Sequence, residues 1–481
     1  MLTRAREATA PRVALACDDE RTAREVARVA GVRGFRFEEL GLEAAIDAPV
    51  GSVAYAPAEP PSPETALRLA PLCQRAAENR RPVVLLAAVE RTRGRAAEEQ
   101  IAAAAILRTH GAVVLECPDA WFETAVFLAV HGIPSGSRVA VIAPDGGWLH
   151  LAATALALED EARGATRSHA VLAEEPAEPH PTDIALVDAE FAAVASERAG
   201  RALFVPVVAR AELLSGDSRP ALVGLRAALA AAHAAGRLGE RVRQGLGPAP
   251  PSDVKRWKVD RERVDRLLAL GVPRLGDHES KLLLAAYGVP VTRQSVAMTP
   301  SRAVQIARTC GWPVEVKPYD PELPVERDGG TVITGAKNPP EVRRAFAAAS
   351  SSAGVAVGQP VIVRATPSPG RNVVARIERH AVLGWTVQVT VPGAPRPLAA
   401  PAPLRKTDAE DLAAALESSR AGDTPPDRAA LADLLHRASH VAVDREAEVE
   451  SIDLARVIVA ARGDGALVAD VRIRLARRRA R

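Results

Sequence analysis

The plainest arrangement able to do chemistry lies between a strand pattern and a helix pattern. Ser137–Ile142 (SRVAVI) reads as a buried strand and Trp148–Ala162 as a helix, with the turn Pro144-Asp-Gly-Gly147 between them. Glycines just ahead of a helix leave backbone N–H groups open to an anion. Asp145, Gly146 and Gly147 are therefore a candidate phosphate loop, although a plain strand–helix connection uses the same residues. His436 and His440 stand at i, i+4 on a predicted helix, so one face can chelate a metal. No Glu lies between them and no third ligand is near in sequence, which leaves two unrelated surface histidines as the simpler reading. Ser350-Ser-Ser352 lacks the Gly-x-Ser-x-Gly setting of an activated serine and reads as a helix end or loop. Cys17, Cys73, Cys117 and Cys310 form no CxxC, so neither a zinc site nor a disulfide framework is indicated. Free thiols of this kind suit a reducing cytoplasm.

Whatever chemistry is present must be positioned by a large chain of 481 residues, which at about 150 residues per domain suggests roughly three domains. Lys and Arg number 62 against 59 Asp and Glu, a net charge of +3, and aromatics are 3%. Neither a basic patch nor a stacking surface is indicated, so nucleic acid is not an expected partner. No apolar run reaches the roughly 18 residues of a membrane span, and Met1–Arg12 lacks the apolar core of a signal peptide. Apolar runs at Arg12–Cys17, Ser52–Tyr55, Pro82–Ala87 and Gly111–Leu115 alternate with helical patterns at Thr22–Val29 and Trp121–His131. The same alternation resumes at Gly136, with strands at Ile184–Val187 and Ala202–Val208 and a helix over Ala221–Val242. Strands alternating with helices imply parallel sheets covered on both faces. The reading gives two α/β domains at 10–133 and 134–245, a Pro/Gly linker at 246–253 (LGPAPPSD), and an α+β domain at 254–481. That last region ends in a hairpin, because Gly463-Asp-Gly465 separates two apolar runs.

The third region carries a resemblance. Asp277–Pro290 (DHESKLLLAAYGVP) resembles the opening of the ATP-grasp domain in NDP-forming acyl-CoA synthetases, and Gly311–Lys317 (GWPVEVK) resembles the strand bearing that family's nucleotide-binding lysine. Pro401–Glu410 and Ala469–Leu475 resemble later segments of the same domain. Arg138–Leu158 and His180–Ile184 look like its second flavodoxin-like, succinyl-CoA-ligase-type domain, and Arg12–Ala88 looks like the first. The resemblance implies two doubly wound flavodoxin-like domains followed by an ATP-grasp-like domain. It also implies acyl-CoA formation coupled to ATP or GTP cleavage through an acyl phosphate and a phosphohistidine.

Several implied parts are altered. The strand Pro82–Ala87 is followed by Val89–Gln100, which has no histidine to carry the phosphoryl group, and His110 stands where the family uses none. No glycine-rich CoA-binding domain precedes Arg138, so CoA is not expected on this chain alone and a separate CoA-binding chain, or a homo-oligomer, is the implied partner. The resemblance places ATP phosphates at Lys317, with Asp328, Gly329 and Gly330 as the adjoining loop. In that register Glu326 replaces a lysine. Losing one charge-assisted hydrogen bond costs about 1.5–3 kcal/mol, roughly 10- to 150-fold in affinity, and the added carboxylate weakens a polyphosphate further. Mg²⁺ needs hard oxygen ligands. Here Ala455 replaces the expected asparagine, leaving Asp470 with Asp453 as a stand-in. Asn372 replaces an acidic ribose ligand, and Thr390–Pro395 carries prolines where the family has glycines. The expectation is a divergent, catalytically degenerate homologue with weak ATP and Mg²⁺ binding and a regulatory or partner role. The alternatives are an active ligase subunit working with a CoA-binding chain, and a scaffold without a small-molecule site.

Overall fold

The structure is a computed structural model that describes residues 12–33, 35–87, 94–143, 145–163, 168–172, 182–188, 202–208, 221–250, 254, 257–319, 332–351, 359–392, 394, 396–414, 416 and 424–476. The chain divides between Pro248 and Ala249 into two compact units.

The N-terminal unit alternates strand and helix: β1 (Arg12–Cys17), α1 (Glu20–Val32), β2 (Arg36–Glu39), α2 (Leu42–Asp47), β3 (Ser52–Ala56), α3 (Pro63–Glu78), β4 (Val83–Leu86), α4 (Arg95–Thr109), β5 (Val113–Leu115) and α5 (Pro118–His131). A second series follows: β6 (Val139–Ala143), α6 (Gly146–Arg163), β7 (Ser168–Leu172), β8 (Ile184–Asp188), β9 (Leu203–Val208), β10 (Leu222–Val223) and α7 (Leu225–Gln244). The strands make two parallel sheets, ordered β2-β1-β3-β4-β5 and β7-β6-β8-β9-β10. In each, the chain steps outward once and then returns across its first strand, the doubly wound order 2-1-3-4-5.

Strands covered on both faces need apolar residues at every position. Accordingly Val13 and Leu15 of β1 enter one core while Ala14 and Ala16 enter another. The first of these cores also contains Val139 and Val141 of β6, Ile184 and Leu186 of β8, and the helices α5 and α7. α5 is buried continuously from Ala120 to Leu128, as a helix lying between two sheets must be. α7 crosses Pro134–Ser137 so closely that a Cβ on Gly239 would fall 2.0 Å from the Pro134 carbonyl oxygen, and one on Gly236 2.6 Å from Ser137 Cα. The sequence pattern placed Leu222 and Val223 in this helix; they form β10 instead, and Gly224, at φ +80°, turns the chain before α7 begins.

One ion pair is buried in that shared core. Arg33, after α1, forks onto both oxygens of Glu123 on α5, and Glu123 also accepts from Val223 N at 3.1 Å. Arg33 Nη2 donates to Ala221 O at 3.2 Å, and the guanidinium stacks on Phe122.

The C-terminal unit comprises α8 (Arg261–Leu268), β11 (Arg274–Leu275), α9 (Asp277–Ala286), β12 (Gln294–Ala297), α10 (Pro300–Cys310), β13 (Val314–Pro318), β14 (Ile333–Ala336), α11 (Pro339–Ala349), β15 (Val361–Ala365) and β16 (Arg371–His380). It closes with β17 (Gly384–Thr390), β18 (Leu398–Pro401), α12 (Lys406–Ala413), α13 (Arg428–Asp444), β19 (Val449–Val459) and β20 (Ala466–Leu475). Two antiparallel sheets result, β11-β20-β19-β16-β17-β18 and β12-β15-β13-β14. The larger sheet packs on α8, α9, α12 and α13; the smaller packs on α10 and α11. The expected strand over Val291–Ala297 begins only at Gln294. Pro290 and Thr292 bond Val468 of β20, so the chain leaves one sheet and joins the other within a few residues.

Removing one member of a buried ion pair leaves the other uncompensated, at a cost of about 3–5 kcal/mol. Arg33→Met is expected to lower the urea-unfolding free energy by about that amount, and Arg33→Met/Glu123→Leu to recover most of it. Additive losses in the double variant would refute the pairing.

Candidate functional site

The polar face of the smaller sheet in the C-terminal unit builds the site. Along β13 the residues read Val314, Glu315, Val316, Lys317. The valines enter the apolar core against α10 and α11, so the period of two sends Glu315 and Lys317 to the opposite face. β15 does the same: Val361 and Val363 pack inward while Arg364 shares the face of Glu315. Glu315 and Arg364 sit directly opposite in the ladder, and Arg364 Nε donates to Glu315 Oε2 at 2.7 Å.

The larger sheet meets this face through two bulges. On β19 the core residues are Ile452 and Leu454, then Val457 and Val459; on β20 they are Ala466 and Val468, then Val471 and Ile473. The parity flips on both strands where the register shifts, and between the shifts Arg456 pairs with Asp470. Bulges re-aim side chains and leave backbone groups out of the ladder. Here they turn Arg456 and Asp470 away from the core and free the Ala469 carbonyl, which accepts from Lys281 Nζ and Arg364 Nη1, both at 2.7 Å.

α9 closes the third side. Asp277 in its first turn and Lys281 one turn later point the same way. Lys281 Nζ has four oxygens around it: Asp277 Oδ2 at 3.0 Å, Thr292 Oγ1 at 2.8 Å, Gln294 Oε1 at 2.7 Å and the Ala469 carbonyl. Asp277 also accepts from Val471 N at 3.0 Å and lies 3.2 Å from Lys317 Nζ. Lys317 Nζ donates to Asp470 Oδ1 at 3.1 Å, Arg364 Nη1 donates to the same oxygen at 2.5 Å, and Arg456 Nε lies 3.0 Å from Asp470 Oδ2. Nearby, Tyr319 Oη donates to Glu279 Oε1 at 2.6 Å.

Burial opposes the charges of Asp277, Asp470 and Lys281, and their partners act against it. Burial alone would raise the Asp277 carboxyl, but Lys281, Lys317 and Arg364 hold it well below the ordinary range. Asp470 is lowered in the same way, chiefly by Lys317 and Arg364 against its desolvation. For Lys281 burial prevails over Asp277, helped by the neighbouring cations, and the amine falls to about 8.

The structure thus brings together two of the residues expected from sequence, Lys317 and Asp470, both buried. Asp453 is not part of the group; its carboxylate takes Arg376 Nε at 2.9 Å. Glu326, Asp328, Gly329 and Gly330 lie outside the described residues. Asp145, Gly146 and Gly147 stand at the start of α6 in the N-terminal unit, where Asp145 Oδ1 accepts from Trp148 N at 2.8 Å, so the carboxylate already caps an amide that an anion would use. His436 and His440 pack edge-on to each other and to Trp257, and among the described residues no group of three or more His, Cys, Asp or Glu side chains is placed to hold a metal. Asp277, Lys281, Glu315, Arg364 and Arg456 were not singled out from sequence. For all but Arg456 the signal was the run Val-Glu-Val-Lys on β13, the run Val-Ile-Val-Arg on β15 and the i, i+4 pair Asp277/Lys281.

Asp277 and Asp470 both titrate below the ordinary 3.8 when folded. As pH falls the unfolded chain takes up protons first, so their stabilisation is complete above about pH 5 and is lost progressively below it. Urea midpoints measured through that range should fall, with a shallower slope in Asp470→Asn; equal slopes would refute the assignment. At neutral pH, Asp277→Asn is expected to cost about 3–5 kcal/mol, because Lys281 and Lys317 lose a shared counter-charge.

Residues 266–475 match the ATP-grasp domain family. A beta subunit of acetate–CoA ligase [ADP-forming] II from Pyrococcus furiosus is 25% identical over 224 residues, 44% of this chain and 95% of that one. The 4-hydroxybutyrate–CoA ligase [ADP-forming] of Nitrosopumilus maritimus is 25% identical over 251 residues, 47% of this chain; the chain spans only 35% of that longer relative. Among solved structures, Ca. Korarchaeum cryptofilum ACD1 in complex with coenzyme A is 27% identical with a TM-score of 0.40, covering 45% of this chain and 99% of that one. Residues 266–475 thus carry an ATP-grasp domain, and this part of the chain is similar to the beta subunits of ADP-forming acetate–CoA ligases.

Proposed function

We propose that this chain is an acyl-CoA synthetase-like protein whose ATP-grasp site no longer carries out metal-dependent phosphoryl transfer, and which acts through weak nucleotide binding or as a regulatory partner of another chain. One observation carries the reading: both oxygens of Asp470 face cations of the chain itself, Lys317 and Arg364 bonding one and Arg456 lying 3.0 Å from the other as an ion pair without a hydrogen bond from Nε. A divalent ion needs carboxylate lone pairs within about 2.0–2.6 Å. Asp470 offers them only where positive side chains already lie, so Mg²⁺ does not fit this arrangement, and no step is derived through it. Lys317 is likewise engaged by Asp277 and Asp470, and a polyphosphate would have to displace both.

The rest of the reading extends the same proposal. The order 2-1-3-4-5 in both parallel sheets supports two flavodoxin-like, succinyl-CoA-ligase-type domains at 10–133 and 134–245, with 246–253 as linker to the ATP-grasp-like region at 254–481. A relative named as a beta subunit supports a partner chain, which would supply CoA binding. The four cysteines are all free thiols, which supports a reducing, cytoplasmic setting.

Calorimetric titration of the full chain with Mg-ATP, repeated with Lys317→Ala, tests the reading beside a turnover assay with acetate, CoA and a CoA-binding alpha-type chain. Weak binding that disappears in Lys317→Ala, with no acyl-CoA formed, is expected. Acyl-CoA formed at the expense of ATP would overturn it in favour of an active ligase subunit.

A further inference from the structure

Four cations meet three carboxylates in the network: Lys281, Lys317, Arg364 and Arg456 face Asp277, Glu315 and Asp470. Three of the cations are fixed. The side chains of Lys281, Lys317 and Arg364 are at most 2% exposed, and Lys281 and Arg364 also bond a main-chain carbonyl. Arg456 differs. Its side chain is 35% exposed, so it stands at the edge of the network. From there its buried Nε lies 3.0 Å from Asp470 Oδ2 without a hydrogen bond and its Nη2 lies 3.8 Å from Glu315 Oε2, so the guanidinium spans two carboxylates from different sheets.

A cation shared by two carboxylates at the edge of a charged network is the part a divalent ion plays in binding a polyanion. The bulges on β19 and β20 aim Arg456 there, since without the register shift it would face the apolar core. We propose that Arg456 is the resident cation of this site, placed against Asp470 and Glu315 where a divalent metal would otherwise bind, so that anion recognition by this chain is metal-independent. The inference rests on the reading of the site as one that has left metal-dependent transfer. A guanidinium supplies planar, bidentate donors suited to phosphate or carboxylate, and it carries its charge at every physiological pH. A metal at the same carboxylates would meet three positive neighbours, so metal and Arg456 exclude each other.

The test uses Mn²⁺ alone, without nucleotide, acid or CoA, followed by electron paramagnetic resonance on the full chain. The wild-type chain is expected to take up no Mn²⁺ at Asp470 through the millimolar range. Arg456→Gln should gain a Mn²⁺ site, and Arg456→Gln/Asp470→Asn should lose it. Arg456→Lys, which keeps the charge, should stay metal-blind. Should Arg456→Gln not fold, wild type against Asp470→Asn still decides: Mn²⁺ uptake by wild type that Asp470→Asn abolishes overturns the proposal, and its absence with Arg456→Lys also metal-blind supports it. A folded Arg456→Gln that gains no Mn²⁺ overturns it as well. Turnover of ATP with acetate and CoA would sink the functional reading without touching this readout, so the two failures are distinguishable.

Discussion

Charges taken out of water must be answered by opposite charges at hydrogen-bond distance, and in the C-terminal unit that requirement joins two separate antiparallel sheets. Arg364 and Lys317 come from the small sheet; Asp470 and the Ala469 carbonyl come from the large one. Asp277 and Lys281 come from the helix that begins beside both. None of these groups has its charge or bonds satisfied within its own sheet alone, apart from the Glu315–Arg364 rung. Closure of the unit and the electrostatics of its site are therefore the same fact. Whatever binds here must exchange one set of counter-charges for another.

The same network holds two residues that the sequence marked out for a nucleotide, Lys317 and Asp470. They are each other's partners, buried to 1% and 9% exposure, an arrangement that a purely electrostatic duty also explains. Burial lowers the Lys281 amine while its cationic neighbours lower Asp277 and Asp470, so the network is poised by mutual dependence rather than by any single strong pair.

The parallel sheets were legible because strands covered on both faces leave uninterrupted apolar runs, as at Val13–Ala16 and Val139–Ala143. The ATP-grasp opening was legible because Asp277–Pro290 is a contiguous motif. The site itself was only half legible. Lys317 and Asp470 were expected; Arg364 and Glu315 were hidden in an alternation that reads as any half-buried strand. Arg456 was hidden more deeply, because its direction depends on a bulge, and a register shift between strands leaves no local mark in either one. The short strand β10 was missed for a similar reason: two residues before a left-handed glycine look like the start of the helix that follows.

The helices α5 and α7 lie in a core to which both parallel sheets contribute. Their sequences read as two consecutive repeats of one topology, yet the layer between them belongs to neither repeat alone. A fragment ending after α5 would expose the face of α5 that packs toward α7 and the second sheet, with Glu123 parted from Val223. The two repeats are thus separate in topology but share one core, so cutting the chain between them would divide a single folding unit.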